Sequence, residues 1–206
     1  MDVLSSISGF IAYFFKKIEE HLKKPKLKVE FNYSKLDSVE FKFEKGQGIS
    51  YKLVMVKVSN DGKATAEECT AKAEIIRSRF LYAENGKILG EKDFPPNPIL
   101  PPMVLSWIRK SEAKDDFNKL FKPISIRAND YEFAELIEIF SFRTPYLRGD
   151  LKLLSLEVND IIKVTIYCNN AISKSVCLKV KKLPTYEQTT SSNKDDYFEE
   201  IACPQL

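Results

Sequence analysis

Between Leu27 and Leu183 short runs recur in which apolar residues fall at every second position, and Gly, Asn, Asp or Pro separates many of these runs. This alternation is the strongest constraint on the fold, because a period of two fits a strand with one face buried and does not fit a helix. Leu27, Val29, Phe31 and Tyr33 are interleaved with Lys28, Glu30 and Asn32, and Val39, Phe41 and Phe43 with Glu40, Lys42 and Glu44. Tyr51 to Val58 makes a longer strand, closed by Asn60-Asp61-Gly62. Cys69 to Ala83 makes another, and Asn85-Gly86, the commonest tight-hairpin pair, returns it through Lys87 to Phe94. Met103–Ile108, Ile124–Ile126, Phe133–Phe142, Leu151–Val158, Ile161–Cys168 and Val176–Leu183 continue the series, with Asn129-Asp130 and Asn159-Asp160 as turns. Phe133, Leu136, Ile137 and Phe140 also fit one face of a helix, and aromatic and β-branched neighbours favour a strand. Pro95 to Pro102 reads as an extended loop that rigidifies a connection between sheets, and the charged stretch from Arg109 to Asn118 as a loop or short exposed helix. About nine short strands without helical crossovers predict an all-β protein, an antiparallel β-sandwich.

Few kinds of chemistry are compatible with this composition. His21 is the only histidine of 206 residues, and it stands among lysines and glutamate with no partner to orient it as a base. A zinc site with two His ligands is excluded. Seven glycines form neither a P-loop nor a dinucleotide fingerprint. Asp115-Asp116, Asp195-Asp196 and Glu199-Glu200 are adjacent acids in polar segments, and general acid–base work needs two acids converging across a cleft. No catalytic, cofactor-binding or metal-ligating set emerges, so the sequence reads as non-enzymatic, with no cofactor.

The cysteines at 69, 168, 177 and 203 have no Cys-x-x-Cys spacing. Matching the apolar face of 162–168 to that of 176–180 puts Cys168 opposite Val176 or Leu178 and turns Cys177 the other way. That register keeps Cys168 and Cys177 apart. Cys69 and Cys168 then read as small buried hydrophobes, which predicts reduced thiols and an intracellular setting.

The first 24 residues follow a different period. Leu4, Ile7, Ile11, Phe14 and Ile18 are spaced 3-4-3-4 and share one helical face, which Phe10, Phe15 and Leu22 widen. Lys16, Lys17, Lys23 and Lys24 cluster at its end. Asp2 and the lysines do not fit a cleavable signal peptide, and the run from Val3 to Phe15 would span only about 20 Å as a helix, too short to cross a bilayer. The pattern is that of an amphipathic helix lying in the headgroup region, with Leu4, Ile7, Ile11, Phe14, Phe15, Ile18, Lys16, Lys17, Lys23 and Lys24 as contacts. Docking on the protein's own core and pairing with a partner helix are the competing readings. Charge supports the first. Residues 16–28 carry a local +4 and residues 184–206 a local −4, on a chain whose net charge is +3. An anionic surface would attract the arm and repel the tail. The chain thus divides into a helix (1–24), a sandwich (25–183) and an acidic mobile tail (184–206).

Val58-Ser-Asn-Asp-Gly-Lys-Ala-Thr-Ala66, followed by a long strand and Glu84-Asn-Gly-Lys87, resembles immunoglobulin-like domains of the CARDB type, the adhesion-related domain of bacteria and archaea. The resemblance covers residues 50–90. It implies an Ig-like sandwich and a non-catalytic interaction module, and carries over no site residues. The expectation is a module that is intracellular and peripheral at the cytoplasmic face of a membrane, anchored by residues 3–24 and binding a protein partner. The alternative is a soluble domain with its helix docked on its own core, which binds nucleic acid or another polyanion. Outward Tyr51, Tyr82 and Tyr167 could stack bases, but lysines matched by glutamates along the strands (Lys42/Glu44, Lys72/Glu74) give no basic stripe.

Overall fold

Alternating β-branched and aromatic residues put most of the described chain into strands. The computed structural model describes residues 13, 15, 17, 23–31, 39–43, 50–84, 87–98, 101–108, 120–140, 146–148, 153–183 and 197–204. The strands are β1 (Leu27–Glu30), β2 (Val39–Phe43), β3 (Ser50–Asn60), β4 (Ala66–Glu84), β5 (Lys87–Pro98), β6 (Met103–Val104), β7 (Ile124–Ile126), β8 (Asp130–Phe140), β9 (Tyr146–Arg148), β10 (Leu153–Ser155), β11 (Ile161–Cys168), β12 (Ala171–Val180) and β13 (Phe198–Ile201). They form two antiparallel sheets. One is ordered β1-β3-β8-β9-β10, with β2 also on β3; the other is ordered β13-β12-β11-β4-β5, with β6 and β7 also on β4. The protein is all-β.

Alternation explains which residues are inside. Val54, Val56 and Val58 of β3 and Ala134, Ile137 and Ile139 of β8 share one hydrophobic cluster with Ala71, Ala73 and Ile75 of β4, Ile162, Val164 and Ile166 of β11, and Val176, Leu178 and Val180 of β12. Residues 103–108 cross from sheet to sheet. β6 lies on β4 and Leu105 N–H donates to Ala71 O, then Glu135 N–H donates to Ser106 O and Ile108 N–H to Phe133 O. Trp107, buried at this crossing, joins the shared core. At another point of the core Phe31, just after β1, meets Phe198 of β13 edge to face, with centroids 5.5 Å apart.

The segment that fitted both a helix and a strand is a strand, β8, and a bulge explains the ambiguity. Val54 pairs with Ile137 and Met55 with Glu135, so Leu136 is extra and the neighbours Leu136 and Ile137 are both buried. Two consecutive inward residues mimic a helical face. Asn129 and Asn159 take left-handed backbone conformations (φ 58° and 75°) at the expected turns, as asparagine tolerates.

Three expectations are corrected. The proline stretch is not wholly loop: β5 takes in Pro95, Pro96 and Pro98 as the edge strand of its sheet, the place where a residue without an N–H is tolerated. The end of the chain is not wholly mobile tail: Phe198–Ile201 is β13, paired to Cys177–Val180 of β12, with Tyr197 and Phe198 buried. The cysteines are not reduced thiols. Cys69 is bonded to Cys168 and Cys177 to Cys203. Face matching turned Cys177 to the opposite face as observed, but its register is off: Val176 stands opposite Val164 and Leu178 opposite Ile162, and Cys168 stands opposite Ala171.

Candidate interaction site at the arm-bearing end

Of the residues expected to contact a membrane or partner, Leu4, Ile7, Ile11, Phe14, Lys16 and Ile18 lie outside the described residues, as does His21. Phe15, Lys17, Lys23 and Lys24 are described, and all are exposed. Tyr13 and Phe15 are 62% and 66% exposed, and Lys17 Nζ stands 5.6 Å from the Tyr13 ring centre. No helix among the described residues is long and apolar enough to cross a membrane.

The arm joins the domain at a junction built on Asn60. Its side chain is fully buried and all four hydrogen-bonding positions are used. Oδ1 accepts from Lys26 N–H (3.0 Å) and Gly62 N–H (3.1 Å), while Nδ2 donates to Ala64 O (2.7 Å) and Ile126 O (3.0 Å). Asp61 N–H donates to Lys26 O and Asn129 N–H to Asn60 O. Gly62 lets the arm pass: a Cβ there would lie against Lys26 N and Lys24 O and 2.6 Å from Pro25 Cα. The β3–β4 turn, the β7–β8 turn and the start of the domain are thereby tied into one unit.

A third turn joins the same end. Asn169 and Asn170 connect β11 to β12. Asn169 N–H donates to Glu67 O, Asn170 Oδ1 accepts from Glu67 N–H (2.9 Å), and Asn170 Nδ2 donates to Thr65 O (2.9 Å). Asn169 Nδ2 also donates to Glu68 Oε2, and Glu68 holds a positive φ of 49° where β4 leaves its regular register. The Cys69–Cys168 disulfide covalently links β4 to β11 next to this turn.

Exposed apolar groups gather here. Tyr131 is one residue into β8, 50% exposed, with the Phe133 ring edge-on at 5.5 Å and Lys57 Nζ 4.2 Å from its centre. Tyr167, the next-to-last residue of β11, is 44% exposed with Lys72 Nζ at 5.5 Å. Tyr51 and Tyr82, the other expected outward tyrosines, have side chains outside the description. Ile172, just past the β11–β12 turn, is 83% exposed. The sequence reading missed Ile172 because alternation back from Val176 assigns it inward. A bulge reverses that: Ile166 pairs with Lys174 but Cys168 with Ala171.

The far end has a different character. Arg77 donates from Nε to Asp160 Oδ1 (2.7 Å) and from its terminal nitrogen to Oδ2 (2.8 Å), and it pairs with Glu157 (2.7 Å). Asp160 is buried and also accepts from Glu157 N–H. The hydrogen bonds to Asp160 hold the Arg77 guanidinium above its ordinary pKa, against the opposing effect of burial. This fork closes the β10–β11 turn; among the described residues no group of three or more His, Cys, Asp or Glu could hold a metal ion. Compared with known protein families and with curated proteins, the chain matches none of them.

Proposed function

We propose that the protein is a non-catalytic interaction module: an Ig-like β-sandwich held at a membrane surface by its N-terminal arm, where it meets a protein partner. The exposure of Phe15 carries this reading. Phe15 belongs to the apolar stripe of the arm, and a helix docked on its own core would bury it. Lys17, Lys23 and Lys24 beside it are also exposed, which suits an anionic headgroup layer. The nucleic-acid reading has less support. The two exposed tyrosines of the sheets that carry lysines, Tyr131 and Tyr167, belong to different sheets and so do not make one basic stripe.

Two disulfides bear on the compartment. Such bonds persist in oxidising environments and are rare in a reducing cytosol. The proposal therefore places the module at a membrane facing an oxidising compartment, in place of the cytoplasmic face expected from free thiols.

Co-sedimentation of the full chain with phosphatidylserine/phosphatidylcholine vesicles tests the anchor. Point variants are preferable to truncation at residue 24, because Lys24 and Pro25 pack against Gly62. Phe15→Ala should weaken partition by about 2 kcal/mol, roughly 30-fold. Neutralising Lys17, Lys23 and Lys24 to Gln should cost about 1 kcal/mol per lysine removed and flatten the salt dependence. A wild-type chain that stays in the supernatant at low salt would refute the anchor.

A further inference from the structure

Exposed large hydrophobic side chains are distributed unevenly over the molecule. Among the described residues they are Tyr13, Phe15, Tyr131, Val158, Tyr167 and Ile172. Tyr13 and Phe15 are on the arm, and Val158 is in the far-end turn that Asp160 closes. Tyr131, Tyr167 and Ile172 all lie within a few residues of the turns tied to the arm junction. Single exposed apolar residues are ordinary, but their collection at the end from which an amphipathic arm departs is not accounted for by folding.

Each of the three has the setting of an interfacial side chain. Tyrosine, with an apolar ring and a polar tip, suits the headgroup layer, and Lys57 and Lys72 stand beside the two rings. Ile172 projects furthest, and a bulge, a device that re-aims side chains, puts it outside while Ala171 packs against the core. At this end Lys24, Lys26, Lys63, Arg127 and Lys174 are exposed. Asp61, Glu67, Glu68 and Asp130 are exposed there too, so five cations face four anions, and Lys17 and Lys23 of the arm raise the positive excess. Hydrogen bonds from Asn60, Asn169 and Asn170 hold the turns together, so the end presents a preformed surface.

We propose that this end is the face the domain turns to an anionic lipid bilayer, with Ile172 entering the headgroup region and Tyr131 and Tyr167 at its rim. The proposal rests on the membrane reading above and adds an orientation to it: the domain stands end-on, and its sheet faces and far end stay available to a partner.

Two variants of the full chain separate the claims. Ile172→Ser should lower partition onto phosphatidylserine/phosphatidylcholine vesicles roughly tenfold with the arm intact. Ile172→Trp should give an emission blue shift on those vesicles and quenching by brominated lipid, while Val158→Trp at the far end gives neither. Trp107 is buried and adds a constant background. If Phe15→Ala weakens binding but Ile172→Ser does not, or if the two tryptophan variants respond alike, the end-on contact is wrong and the anchor stands. If the wild-type chain does not bind vesicles, both fail together.

Discussion

Asn60 does at the residue scale what a longer segment does in other folds: one amide fixes the start of the domain, the β3–β4 turn and the β7–β8 turn. Asn60→Ala removes four hydrogen bonds and leaves buried backbone groups without partners, at a cost of about 3 kcal/mol. Denaturant titration should show a lower midpoint with an unchanged slope. Asn60→Asp should be no milder, since it keeps the acceptors but faces a carboxylate toward Ala64 O and Ile126 O. The Arg77–Asp160 fork makes a second case. Asp160→Asn takes the buried counter-charge from a partly buried guanidinium and leaves it only the exposed Glu157, and should cost about 3 kcal/mol. Because the folded-state pKa of Arg77 is raised, the contribution it makes by being charged is complete below the ordinary arginine range and is lost only in strong alkali. The stability difference between wild type and Asp160→Asn should therefore not diminish between pH 7 and 10. The sequence marks Asn60-Asp61-Gly62 and Asn159-Asp160 as turns, because turn chemistry is local. It does not mark their reach to Lys26, Ile126 or Arg77, since those partners are brought near only by sheet pairing.

Strands were legible for the same reason that disulfides were not. Period-two patterning is written within each element, and it located nearly every strand, including β8, whose helical look came from a single extra residue, Leu136. Pairing between elements is not written that way. Matching faces bears only on Cys168 against Cys177, which are not bonded to each other; their partners are 99 and 26 residues away. Nor does alternation find β13, whose four residues follow a polar, acidic stretch and pair only because β12 offers an edge. This gives Cys177–Cys203 a definite task at the element scale, holding a short terminal strand that could not persist alone. Closing a loop of that length is worth about 3.5 kcal/mol on chain-entropy grounds. The double variant Cys177→Ser, Cys203→Ser should thus stay folded but lose hydrogen-exchange protection over Phe198–Ile201 while β11 keeps its own. Uniform loss across both strands would mean that β13 belongs to the cooperative core.

For the whole molecule, charge and topology point along one axis. The basic arm joins at the Asn60 end. Glu199 and Glu200, both exposed on β13, lie toward the opposite end, where β13 pairs with Cys177–Val180 of β12 and Lys181 and Lys182 N–H donate to Tyr197 O. An end-on domain separates these two carboxylates from a membrane by most of the length of β12. The residues from Ala171 to Leu178, which stands opposite Glu200, span roughly 23 Å at about 3.3 Å each. Screening at physiological ionic strength decays over about 8 Å, so the repulsion should scarcely be felt. The double variant Glu199→Gln, Glu200→Gln should therefore change vesicle partition by less than about twofold, against losses of several-fold for each arm lysine. A domain lying flat would bring the same acids close to the headgroups, and neutralising them would then strengthen binding markedly, the more so at low salt. Vesicle partition of the Glu199, Glu200 double variant at two ionic strengths thus distinguishes an upright domain from a flat one without altering any residue at the contact itself.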